Sequence, residues 1–535
     1  MRKNCLVPLG YILFATAALF GRQEPLANDN KSGLYVKSLQ QVLRLDEQEV
    51  DLATAVLIVS ERWSDIVQGR RYLEQLDDIA YEIRAGLKDK NLPIDYRAVR
   101  VINEYLFYEL GLRSVKEATD PNDLFLHSVL DRKRGYCLSL SVLYLCLAER
   151  LGLALYGVAV PGHFFVRYDD GHIRFNIETT SKGGYADDEH YIEEFKVPQG
   201  KADSIYMVNL NKIQTLGCFL NNLGNSYSDV GNTQQALTVL EMAVEINPLL
   251  AEARTNLGNI YLSKGRINDA IYEYRAALEI NPDDAKTHNN LGNAYNEKNW
   301  LSDAIGHYKH SIRLDVNFVD AYKNLASVYF KKEMYFQAGG ILRQGLSIEP
   351  RNADLHTRLG NVLSQVNDCQ SAKLHYKKAL LIEPDTAEAY CGLAVCYNKS
   401  GLTREEIRAY QKALVIKPDM VVALMNLGNA YFAQKKYTSA IEQYKKAVAI
   451  NPDDASIHYN LGAAYSNKGD YKLAEAEYNQ AIELDAKMAD AHAGLGFVLY
   501  KLKKYEQAWQ HIKLAEQLGG QVSNDLLEAV KDKLQ

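Results

Sequence analysis

Cys137, His163 and Glu178 stand in the order thiol, imidazole, carboxylate inside one stretch, Arg134 to Thr180. A thiol with a base beside it and an acid behind that base is the arrangement of covalent acyl transfer: the sulfur attacks, the ring moves the proton, the acid fixes the ring. Strand alternation puts Asn176 on the same face as Glu178, so either side chain can orient the imidazole. The competing reading packs Cys137 as a small residue and leaves His163 as an ordinary histidine at a turn end. Ser139 and Ser141 lie inside an apolar helix and are poorer nucleophiles, and His172 falls in a hairpin turn.

The elements that must position these groups are legible around them. An apolar helix runs from Cys137 to Arg150 and stops at Gly152, the residue type that ends helices in the left-handed region. Its N-terminus favours an anion, because unpaired N–H groups and the helix dipole point at it, and the same groups can hold an oxyanion. Leu153 to Val160 reads as a strand, Pro161-Gly162 as a turn, and Phe164 to Tyr168 as a second strand. Asp169-Asp170-Gly171 is a hairpin signal returning Ile173 to Thr179. Upstream, Leu52, Ala55, Val56 and Ile58, then Leu73, Leu76, Ile79 and Ile83, then Val99, Ile102, Leu106 and Leu110 recur at helical spacing. Asp120-Pro121-Asn122-Asp123 opens a further helix at Leu124.

The runs NEYLFYELG, PNDLFLHSVLDRKRGYCLSLSVLYLCLAERLGL, PGHFFVRYDDG and FNIETTSKGG together resemble the bacterial transglutaminase-like family of the SirB type, over about residues 45 to 200. The resemblance implies an α+β, papain-like core whose triad is Cys, His and Asp. Cys137 then matches the nucleophile and His163 the base, while Glu178 occupies the place of the aspartate in what is usually Asp-Pro, with Thr179 following it. Members of this branch often lack the cysteine, which keeps a non-catalytic role open beside the enzymatic one.

From Gly217 the chain repeats every 34 residues, in nine units starting at Gly217, Ala251, Ala285, Val319, Ala353, Ala387, Val421, Ala455 and Ala489. The eighth position is Gly or Ala and the twentieth is Ala in eight units, Glu406 being the exception. Tyr at the eleventh position, as in Tyr227, Tyr261 and Tyr431, is expected to fill the space left by the small residues. Pro248, Pro282, Pro350, Pro384, Pro418 and Pro452 end second helices. This pattern resembles the tetratricopeptide repeat over residues 217–520, which implies an all-α superhelical solenoid with a concave face, capped by a helix within 521–535. Position six carries Asn222, Asn256, Asn290, Asn324, Asn426 and Asn460, and position nine Asn225, Asn259, Asn293, Asn361 and Asn429. An amide donates and accepts together, which suits the backbone of an extended peptide. The pattern is similar to the asparagine ladder in O-linked N-acetylglucosamine transferase repeats, and implies a protein or peptide partner on the concave face. Hydrogen bonding within the solenoid is the alternative. The ladder breaks at Arg358 and Gly392.

Composition narrows the classes further. The net charge of −6 and scattered basic residues give no footprint for nucleic acid. Seven cysteines without paired spacing give neither a disulfide framework nor a metal site, and no cofactor is called for. Cys146, Cys218, Cys369, Cys391 and Cys396 read as buried small residues. Arg2, Lys3, an apolar run from Cys5 to Phe20 and Ala15 to Ala18 resemble a secretory signal peptide, with residues 1–30 as leader and linker. An uncleaved anchor is the alternative, and no second stretch is long enough to span a membrane. The expected order is leader, transglutaminase-like domain over 31–210, nine repeats over 217–520 and a cap, in an extracytoplasmic protein, periplasmic or secreted. Its expected function is cysteine-dependent acyl transfer or hydrolysis on a repeat-bound protein or peptide; the alternative is a non-catalytic scaffold.

Overall fold

The computed structural model describes residues 36, 38–42, 44–63, 67–115, 120–197 and 206–535. The leader expected over residues 1–30 lies outside the described residues. Among those described, no helix is long and apolar enough to cross a membrane. The chain divides into two compact units, the first reaching Pro282 and the second running from Asp283 to Gln535.

The first unit is built around one helix. Helices α1 (Leu39–Val42), α2 (Leu52–Trp63), α3 (Gly69–Asp89), α4 (Ala98–Asn103) and α5 (Leu126–Arg132) precede α6 (Cys137–Leu151). α6 is apolar all round, and every residue from Leu138 to Ala148 is buried. Such a helix must be covered on all sides; α2 and α3 cover one flank and the sheet covers another. Gly152 ends it at φ +76°.

The sheet is an antiparallel meander of β3 (Leu155–Val160), β4 (His163–Asp169), β5 (Arg174–Glu178) and β6 (Gly184–Ala186), followed by α7 (Asp188–Glu194). Before it, β1 (Arg113–Ser114) pairs in parallel with β2 (Arg134–Gly135) and delivers the chain to the start of α6. β1, β2 and β6 are two or three residues long, too short to show alternation in the sequence. Val158, Phe165, Tyr191 and Tyr206 form the core on the outer side of the sheet.

The rest of the chain is a run of paired helices. α8 (Lys212–Asp229), α9 (Thr233–Ile246), α10 (Ala251–Ser263) and α11 (Ile267–Ile280) complete the first unit. In the second unit, first helices begin at Ala285, Val319, Ala353, Ala387, Val421, Ala455 and Ala489, and a last helix (Asn524–Leu534) closes the run with Val530 buried. The eight alanines at position twenty are fully buried. One packing expectation is corrected. The side chain over the small eighth residue is not the tyrosine at position eleven but one from the second helix: a Cβ on Gly258, Gly292, Gly360 or Gly428 would lie 2.4–2.7 Å from Tyr274, Tyr308, Tyr376 or Tyr444, and Leu240 and Ile512 take that place over Gly224 and Gly496. Position eleven shares a helix face with position eight and cannot lie over it; only the partner helix can.

Candidate active site

The N-terminus of α6 presents Cys137, which is half-buried. Its placement is held by neighbours: Ser139 Oγ accepts the Tyr136 N–H at 2.8 Å and donates to the Asp123 carbonyl at 2.8 Å. A Cβ on Gly135 would meet that same Oγ at 2.6 Å, so a glycine is required where β2 enters the helix. Ser139 is therefore a cap. Ser141 pairs with Thr179 at 3.0 Å and is equally withdrawn from chemistry.

His163 opens β4, opposite Val160. The β4–β5 register sets Val166 against Ile177, so continuing it by one residue sets Phe165 against Glu178 and leaves His163 two residues away on the same face. That is a diagonal cross-strand pair, wider than a direct one, and the extra methylene of glutamate suits it. His163 Nε2 and Glu178 Oε2 are 2.8 Å apart. Cys137 is the neighbour that acts most strongly on the same ring. Burial by itself would pull the imidazole down, but Cys137 and then Glu178 outweigh it and lift its pKa to about 9. Burial would raise Glu178, yet the bonds from His163 and Thr180 hold it below the usual carboxylate range. The two shifts agree on an imidazolium against a carboxylate.

Three residues that the sequence reading did not single out complete the arrangement. The Thr180 N–H donates to Glu178 Oε1 at 2.9 Å, and its hydroxyl bonds the same oxygen. The Tyr191 hydroxyl donates to Oε2 at 3.0 Å. Phe195 stacks on the His163 ring, with centroids 4.5 Å apart and planes 4° from parallel. Their signal was weak: Tyr191 and Phe195 sit in an acidic segment without apolar periodicity.

Asn176 is not an orienter of His163. It is buried, accepts from Arg167 Nε at 2.7 Å and donates to Asp188 at 2.6 Å. Arg167, wholly buried, spends its other donors on Asp188 and the Met207 carbonyl, at 2.7 and 2.5 Å. An unpaired buried guanidinium is costly, and Asn176 serves that charge. Among the other thiols, Cys146, Cys218 and Cys396 are buried as expected, whereas Cys369 and Cys391 are half-buried. Burial pushes Cys146 well up, Cys218 to about 12 and Cys391 and Cys396 to about 11.

The asparagines lie on first helices as expected, and much of their capacity is used internally. Asn256 donates to Asn221 at 2.8 Å, and Asn324 to Asn289 at 2.9 Å, in each case one repeat back. Asn222 donates to its own helix at Cys218. Asn290 and Asn460 are half-exposed. At position nine, Asn259, Asn293, Asn361 and Asn429 accept from the core tyrosines at 2.6–2.8 Å. Among the described residues no group of three or more His, Cys, Asp or Glu is placed to hold a metal ion.

The transglutaminase-like superfamily profile matches residues 70–215, and tetratricopeptide profiles match 219–247, 258–299, 357–421, 428–469 and 466–503. The chain carries a transglutaminase-like domain followed by tetratricopeptide repeats. A UPF0162 protein of Xylella fastidiosa (strain Temecula1) is 35% identical over 130 residues, covering 24% of this chain and 45% of that relative. A UPF0162 protein of Pseudomonas aeruginosa is 25% identical over 179 residues, covering 33% of this chain and 65% of that one. The chain therefore spans roughly half to two thirds of the length of these relatives. Among solved structures, YrrB, described as a TPR protein with an unusual peptide-binding site, is 27% identical over 34% of this chain and 93% of its own, with a TM-score of 0.28.

Proposed function

We propose that the transglutaminase-like domain is a thiol-dependent acyl-transfer centre, acting on glutamine side chains or peptide bonds of an extracytoplasmic protein or peptide recruited by the repeats. The supporting observation is one imidazole that bonds Glu178 at 2.8 Å and whose proton is favoured by Cys137 at the start of α6. In the proposed reaction Cys137 Sγ attacks the acyl carbon as the thiolate, its proton resting on His163, and a C–S bond forms. The oxyanion points at the first turn of α6. The C–N bond breaks as His163 gives its proton to the leaving amine or ammonia. Water or an incoming amine then loses a proton to His163 and displaces the thiolate, giving acid or amide. Glu178 holds the ring throughout. Secretion rests on Arg2, Lys3 and the apolar run behind them.

The test is competitive alkylation of the intact protein with iodoacetamide at neutral pH, read site by site by mass spectrometry. Cys137 should be labelled ahead of half-buried Cys369 and Cys391, and His163→Ala should abolish that lead. A glutamine peptide and a fluorescent primary amine should then give conjugate with wild type and none with Cys137→Ala. Labelling of Cys137 no faster than the other two would leave the scaffold reading in its place.

A further inference from the structure

At the junction of the fourth and fifth repeats the 34-residue pattern changes sign. Position 33 is aspartate in Asp283, Asp385, Asp419 and Asp453, but basic in Arg351 and Lys487. Position 29 is glutamate in Glu245, Glu279 and Glu483, but apolar in Leu381, Val415 and Ala449, of which only Leu381 adjoins a basic position 33. These two departures meet at one place. A half-open cavity of about 530 Å³ is lined by Leu346, Arg351, His356, His375, Lys378 and Leu381 among others, with no carboxylate in its wall.

The charge in this cavity is unanswered. Among the described residues, neither Arg351, Lys378 nor the nearby Arg343 has a carboxylate within ion-pair distance. The acids closest to Arg351 in sequence are engaged elsewhere: Glu349 accepts from Asn352 at 2.6 Å, and Asp354 pairs with Arg358 at 2.8 Å. The two histidines add donors rather than acids. His356 Nε2 meets the Pro350 carbonyl at 3.2 Å, which fixes its proton there, so His356 Nδ1 accepts from His375 Nδ1 at 3.0 Å. Burial, His356, Lys378 and Arg343 hold His375 down to about 4, as an electropositive surrounding should. Beside the cations, Leu381 is 85% exposed, a large apolar side chain with no cover.

We propose that this pocket docks an acidic peptide segment, its carboxylates on Arg351 and Lys378 and an adjoining apolar side chain on Leu381 and Leu346. Arginine and lysine recognise carboxylates by charge-assisted hydrogen bonds, and an apolar neighbour on the peptide removes the leucine from water. The site is independent of the reading of Cys137, and binding is to be the same in Cys137→Ala.

The full chain serves for the test, with fluorescein-labelled peptides alternating Glu and Leu, a Gln-for-Glu version and a Ser-for-Leu version. Arg351→Asp and Leu381→Glu put back residues that other repeats carry at those positions, so the fold is kept; circular dichroism melts check that. Expected are binding of the Glu–Leu peptide by fluorescence anisotropy and weakening of about tenfold or more on Arg351→Asp with Lys378→Gln, the loss of one or two charge-assisted bonds. Leu381→Glu and both altered peptides should weaken it too. Equal binding of the Gln-for-Glu peptide, or affinity unchanged in the Arg351 variant, overturns the proposal. So does displacement by inorganic phosphate with indifference to Leu381→Glu, which makes the pocket a simple anion site.

Discussion

His163 carries its proton because two neighbours favour the cation more than burial opposes it, and that balance can be taken apart. Cys137 is the larger of the two supports. Cys137→Ala should therefore lower the His163 titration from about 9, read by proton NMR of the ring; an unmoved titration would separate the two side chains. The His163–Glu178 pair also ties stability to pH. The imidazole is raised from 6.5, so its contribution is complete below about pH 6.5 and lost as pH climbs through about 9. The carboxylate is depressed from 4.5, so its contribution is present above that value and lost on acidification. Glu178→Gln should cost about 2 kcal/mol near pH 6, the worth of a hydrogen bond to a charged group, with the gap to wild type closing towards both extremes, in thermal melts across that range. The cysteine and histidine were legible from residue type and order, and the acid from its strand register. Asn176 was not distinguishable from Glu178 by alternation. What separates them is Arg167, nine residues away in sequence but wholly buried beside Asn176, whose need for a partner no local pattern reveals.

Helices in the repeats meet through glycine and tyrosine, and this packing gives opposite outcomes for the same substitution. A Cβ on Gly392 would lie 2.3 Å from the Tyr376 ring, which is itself 1% exposed and cannot withdraw. Gly392→Ala should therefore destabilise, since overpacking costs about 1–3 kcal/mol and exceeds the roughly 1 kcal/mol gained in helix propensity. Gly306 and Gly340, also in helices, face nothing within 4 Å. Alanine there should raise the melting point by up to about 1 kcal/mol of stability. A Gly392→Ala protein as stable as wild type would remove tyrosine-over-glycine packing as the constraint. The 34-residue period made the helix pairs readable, because caps, prolines and small residues recur in phase. It could not say which tyrosine lies over which glycine, since that contact joins two helices and the period contains both candidates.

At the scale of the molecule, the first two repeats are part of the first compact unit. Lys212 Nζ donates to the Val50 carbonyl at 2.6 Å, and the Tyr206 hydroxyl to Glu252 at 2.7 Å. Phe125 meets Phe219 edge-on at 6.3 Å, and Trp63 lies 4.5 Å from the Tyr227 ring. These rings are core to the domain and to the first repeat alike, so ending the chain at Asn211 would expose them. A chain stopping at Pro282 should be soluble and melt cooperatively, while one stopping at Asn211 should aggregate or bind a hydrophobic dye. Equal behaviour of the two would dismiss the shared core. The same contact makes an optical gauge. The protein has three tryptophans, at 63, 300 and 509, and only Trp63 belongs to the first unit. With Phe at 300 and 509, the emission maximum of Trp63 would follow the seam between domain and first repeat, shifting to the red as water enters.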